Sequence, residues 1–189
     1  MNKLILFTLF IFILSSCSKS LSDKEKKTYT NQGKEIAQAT QKTLGTNLMQ
    51  KMKKGGVQAA IPFCNSMANP LTEEMSKKYD VEIKRTSDKI RNESNGSTLQ
   101  ESEVIKQYKN LLSNKKDLTP MVKLDKSGKP HFYAPILMQK KCLACHGTIG
   151  KSITKQADSI IKTFYPNDIA TGYNEGDLRG VWSITFNTK

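Results

Sequence analysis

The spacing of apolar positions changes several times along this chain, and each change marks an element. Leu4 to Leu14 is almost unbroken Leu, Ile and Phe. From Asp23 to about Lys54 the pattern thins. Tyr29, Ile36, Thr40, Leu44 and Leu48 recur at steps of three to four, or their sum, which predicts a long helix with one narrow apolar stripe. Ser22 with Glu25 reads as a capping box at its start, and Gly55-Gly56 as its end. So thin a stripe predicts packing along an edge of the domain. Val57, Ala60, Ile61, Cys64 and Met67 fall on one face of a second, more apolar helix. Pro62 either kinks that helix or marks its first turn, and Asn69-Pro70 closes it near Ala68. A third short helix is expected over Leu71 to Tyr79.

Val81 to Arg85 alternates apolar and polar residues and reads as a strand. Thr86 to Gly96 is polar and turn-rich. Ser97 is the expected cap of a helix to about Ser113, with Leu99, Val104, Tyr108 and Leu111 inward. Met121–Asp125 and His131–Ala134, joined through Lys126-Ser127-Gly128-Lys129, predict a hairpin. A helix is expected over about Thr154 to Phe164, broken at Tyr165-Pro166. Val181 to Phe186 ends the chain as a strand. Helices with a few strands among them, two of these a hairpin, predict an α/β class with long N-terminal helices.

Between the hairpin and the last helix lies Cys142-Leu143-Ala144-Cys145-His146-Gly147. Cys-x-x-Cys-His is the attachment signal for a c-type haem. Two thiols add to the haem vinyl groups, and the adjacent His supplies an axial imidazole nitrogen. A zinc site would want four Cys or His ligands instead. The start of the chain favours haem. Lys3 and the Leu4–Leu14 run form a leader too short to span a bilayer, and Leu14-Ser15-Ser16-Cys17 resembles a lipoprotein cleavage box. The expected division is a signal peptide over residues 1–16, a lipidated Cys17 and tether over 17–27, and one haem domain over 28–189. Such a protein is exported and held on the periplasmic face of a bacterial membrane, where c-type haem is attached.

The formal net charge is +13, and loss of Lys3 with the leader lowers it by one. A basic surface suits anionic headgroups or an acidic protein partner. An exported chain without a recognisable binding motif is not expected to bind nucleic acid. With Cys17 given to lipid and Cys142 and Cys145 to haem, Cys64 is left over, on the inward face of its helix.

His146 would leave one axial position on the iron. The sequence leaves several candidates for it: Cys64, His131, Met67, Met121 and Met138. No Met follows residue 146, which argues against the ordinary small cytochrome c arrangement. Arg85, Arg91 and Arg179 are candidate partners for haem propionates, although plain loop capping explains the Arg85–Asn95 stretch as well.

Several ordered motifs together resemble a family of exported c-type haem domains with a PAS-like fold. It was long described as a domain of unknown function and is often found ahead of signalling modules. The motifs are Ala60-Ile61-Pro62-Phe63-Cys64; Arg85-Thr86-Ser87 with Arg91-Asn92 and Asn95; the haem motif; Tyr165-Pro166-x-Asp168-x-Ala170-x-Gly172-Tyr173; and Gly176-Asp177-x-Arg179-Gly180. The resemblance implies a PAS-like antiparallel sheet and one covalent haem c with His146 and Cys64 as axial ligands. A thiolate ligand favours ferric iron, so a redox or small-ligand sensor is expected, with a periplasmic electron carrier as the alternative. No kinase, cyclase or chemoreceptor segment follows Phe186, so the expected recipient of a signal is a separate redox or signalling protein. Peroxidase-like turnover needs an open iron position and an acid–base group. His131 is the only other histidine, and no enzymatic activity is expected.

Overall fold

A computed structural model describes residues 20–187. The expected leader and Cys17 lie outside the described residues. Among the described residues, no helix is long and apolar enough to cross a membrane.

Helix α1 runs from Asp23–Tyr79. Ser22 caps it, accepting from the Glu25 amide while Glu25 reaches back to the Ser22 amide, as its sequence predicts. Gly55 (φ −157°, ψ 23°) and Gly56 (φ 61°, ψ −153°) leave helical geometry and divide α1 into two arms. Gly56 stands at a positive φ that a side chain would strain. The second arm does not stop at Asn69-Pro70, as expected, but carries Pro62 and Pro70 inside it to Tyr79. Proline removes one donor each time, and packing on both sides holds the helix through the gap. Asp80, left-handed at φ 52°, ends it.

The sheet has four antiparallel strands: β1 (Val81–Thr86), β2 (Met121–Leu124), β3 (Pro130–Leu137) and β4 (Leu178–Phe186). Their spatial order is β1-β4-β3-β2. The hairpin register sets Met121 opposite Tyr133 and Leu124 opposite Pro130. The last strand lies in the middle of the sheet and is buried almost throughout, its polar Ser183 and Thr185 included. The α/β class, the small antiparallel sheet and the long N-terminal helix agree with the sequence.

Alternation splits the sheet's two faces. Ile83, Phe132, Trp182, Ile184 and Phe186 face α1 and pack with Ile36, Ala37 and Met75. Tyr133, Leu178 and Val181 face α2 (Leu99–Ser113) and pack with Val104, Ile105 and Tyr108. The first arm of α1 therefore lies across the face of the sheet, not along an edge. Its thin stripe is an advantage there: a Cβ on Gly33 would overlap the Phe132 ring, so glycine lets backbone and ring approach. Thr98, not Ser97, caps α2 through a box with Glu101. Leu99 is 87% exposed, against the expected inward face, because it lies in the first turn before the helix reaches the core. Helix α3 (Leu143–His146) is one turn, and α4 (Lys155–Phe164) follows, packing Ala157 and Ile161 against Ile61 of α1.

Candidate functional site

The ends of β1, β3 and β4, both arms of α1 and the loop after β1 surround one cavity of about 1050 Å³. Small-molecule and cofactor pockets span about 300–1,000 Å³, so its volume suits a large cofactor. Cys64, Cys142, Cys145 and His146 all line it. Cys64 comes from the second arm of α1, and the other three from the turn Lys140–Cys142 and α3. Helical spacing puts 142, 145 and 146 on one side of that turn. Gly147 closes it by donating to the Leu143 carbonyl at 2.9 Å. A Cβ there would overlap Ser152 Oγ.

His146 is fixed by what holds its outer nitrogen. Nδ1–H donates to the Ala170 carbonyl at 2.8 Å, which leaves Nε2 as the free lone pair. Burial, with Arg91 and Arg179 close by, holds the imidazole pKa well below the usual histidine range; the Ala170 bond opposes this only in part. The ring is therefore neutral, as a ligand to iron must be. Tyr173 meets it edge-on, with centroids 6.4 Å apart.

Arg91 holds the loop that holds His146. Its Nε and Nη2 donate to the two Asp168 oxygens at 3.1 and 3.0 Å, and Nη2 also donates to the Cys145 carbonyl at 2.6 Å. A longer bond reaches the Ala170 carbonyl at 3.4 Å. Asp168 in turn accepts from the Ala170 amide at 2.9 Å. The Tyr173 amide donates to the His146 carbonyl, and that of Gly172 to Gly147. One buried ion pair thus ties the Cys-x-x-Cys-His turn to the segment that orients its imidazole.

Residues 18–187 match the family model described as Tll0287-like. The chain belongs to the Tll0287-like family. Among solved structures, that of the cyanobacterial haem protein Tll0287 is similar at 21% identity, with a TM-score of 0.59. The match covers 89% of this chain and 98% of that one, and at this identity it carries the fold. No curated protein matches.

In this Tll0287-like chain the remaining candidates separate cleanly. His131 sits outside the cavity, on β3. Its Nε2–H donates to Asp125 at 3.2 Å and its Nδ1 accepts from Thr185 Oγ1 at 3.1 Å. Both nitrogens are in use, so His131 is a sheet residue. Met121 packs beside α2, and Met67 is 39% exposed and does not line the cavity. Met138 does line it, but lies buried with Ala170 and Tyr173. Cys64 faces the cavity as a free thiol. Burial and nearby Cys145 push its pKa up, while Arg85 and Arg91 pull it down. Arg179 lines the wall too, donating to the Lys89 carbonyl at 2.9 Å. Among the described residues, no group of three or more His, Cys, Asp or Glu side chains is arranged to hold a bare metal ion.

Asp168 was not singled out by sequence, although it stands in the Tyr165-Pro166-x-Asp168 motif; its spacing from Arg91 gives no local signal. Ala170 acts through its carbonyl, which no side-chain reading reveals. Met49 and Met52 on the first arm of α1 also line the cavity, brought there by the fold of α1 at Gly55-Gly56.

Proposed function

We propose that this chain is an exported c-type haem protein, anchored through a lipid on Cys17 and acting as a redox or small-ligand sensor without turnover. Cys142 and Cys145 would hold the haem as thioethers, with His146 and Cys64 as its two axial ligands. The observation that carries this reading is the shared cavity. Cys64, far away in sequence, faces the same space as Cys142, Cys145 and His146. The residues present fit the group in three ways. The volume is large enough, the wall is mainly apolar apart from its cationic groups, and His146 offers a neutral Nε2 while Ala170 holds Nδ1. The relation to a haem protein of the same fold supports it. When bound, a haem would supply a redox-active iron that a thiolate ligand holds toward the ferric state. The protein's part is to position: Arg91 and Asp168 fix the turn, Ala170 fixes the imidazole tautomer, and α1 brings in the thiol. The basic surface supports a partner that is either an anionic membrane or an acidic redox or signalling protein.

The test is co-expression with haem-attachment machinery. Haem should remain on the chain under denaturing conditions and be lost on Cys142→Ser with Cys145→Ser. Axial ligation that changes between ferric and ferrous forms is the sensor's result. Ligation that stays the same in both favours an electron carrier, which gains from small reorganisation. A chain that takes up no haem under these conditions contradicts the whole reading.

A further inference from the structure

The cavity wall carries six cationic side chains, Lys42, Lys53, Arg85, Arg91, Lys141 and Arg179, and no Asp or Glu. Protein acceptors hold two of the three guanidiniums: Arg91 by Asp168, and Arg179 by the Lys89 carbonyl. Arg85 differs. Among the described residues its guanidinium makes no hydrogen bond and no ion pair; the Trp182 ring lies 5.9 Å from guanidinium carbon to centroid, with Cys64 and Tyr165 also near.

Its place in the sheet makes this costly. Alternation along β1 puts Val81, Ile83 and Arg85 in one row facing α1. The first two are core residues. Arg85 continues the row into the cavity, opposite Trp182 in the register. A half-buried charge in an apolar row loses hydration that only a counter-charge or strong acceptors return. Among the described residues no neutral acceptor supplies this, and an anion in the cavity would. The planar fork of arginine fits a carboxylate with two parallel bonds.

We infer that Arg85 is the seat of a carboxylate inside this cavity, whether a propionate of a bound haem or a free small carboxylate. The first source rests on the haem reading above; the second does not. Cys64 also lies near Arg85, and a sulfur-directed role is the rival to be excluded.

The experiment compares detergent-extracted, haem-loaded wild type with Arg85→Gln and Arg85→Lys, using resonance Raman spectra and acetate titration. Propionate bending bands that move in R85Q and return in part in R85K support the inference, with haem as the source. Saturable acetate binding that weakens about tenfold or more in R85Q, with those bands unmoved, supports it with a free carboxylate as the source. Unmoved bands with no acetate binding overturn it. So does a change confined to the iron–sulfur charge-transfer band. Should wild type carry no haem, the haem reading fails by itself, and the acetate titration still decides. R85K, which keeps the charge, stands in if R85Q does not fold.

Discussion

Removing the Asp168 carboxylate should unlock the Cys142–His146 turn and destabilise the chain together. The Asp168 side chain is 4% exposed and that of Arg91 is 12% exposed, so this ion pair is buried on both sides. Asp168→Ala leaves the guanidinium without its carboxylate and frees the Ala170 amide. Breaking a buried pair by deleting one member costs about 3–5 kcal/mol. For a chain of this size, about 2–4 °C of Tm goes with each kcal/mol, so a fall of roughly 6–20 °C follows. Urea and thermal unfolding by far-ultraviolet circular dichroism measure it. The double variant Arg91→Ala with Asp168→Ala should be more stable than the sum of the single losses allows, because no charge is stranded. A double-mutant cycle reads that coupling. A loss below about 1 kcal/mol in Asp168→Ala, the range of exposed pairs, would refute the reasoning. Additive single effects would refute it as well.

Gly33→Ala should cost about 1–3 kcal/mol by overpacking, because the added Cβ meets the buried Phe132 ring; an unchanged urea midpoint would contradict the account of how α1 sits on the sheet. Glu101 gives a pH test. Burial pushes its carboxyl up, but the Thr98 amide, Lys84 and Ser183 outweigh burial and hold it below the usual range. A carboxyl with a depressed folded pKa contributes stability above its unfolded pKa of about 4.3, and loses it as pH falls through the folded value. The Tm gap between wild type and Glu101→Gln should therefore be widest at neutral pH and close in acid; a gap independent of pH contradicts this. His131→Asn should leave the optical spectrum of the haem-loaded protein unchanged, since His131 is bound to Asp125 and Thr185 away from the cavity. A shifted spectrum would reopen its role.

Much of the fold was legible because local rules and packing agreed. Ser22 and Glu25 announced the start of α1, Gly55-Gly56 its break, and the Met121–Ala134 alternation its hairpin. The errors came where packing overrode a local signal. Pro70 reads as a stop, yet α1 continues to Tyr79 because Thr72 and Met75 are buried beyond it. A sparse stripe reads as an edge helix, yet Gly33 and Ala37 let that stripe lie close on the sheet. At the site, Cys142, Cys145, His146 and Cys64 were marked by residue type and spacing, and the cavity gathers all four. What held His146 was not legible: a backbone carbonyl at Ala170 and an ion pair joining positions 91 and 168 leave no periodic trace. Nor did sequence separate the three arginines. Only their surroundings show that Arg91 and Arg179 have protein acceptors and Arg85 has none among the described residues.

The central claim is that Cys64 and His146 share one iron. Electron paramagnetic resonance of the ferric, haem-loaded protein, with Cys64→Ala beside it, tests that most directly. The account predicts a low-spin signal of thiolate character in wild type that disappears in the variant while the haem stays attached through Cys142 and Cys145. Identical signals from the two proteins, each carrying haem, would contradict it.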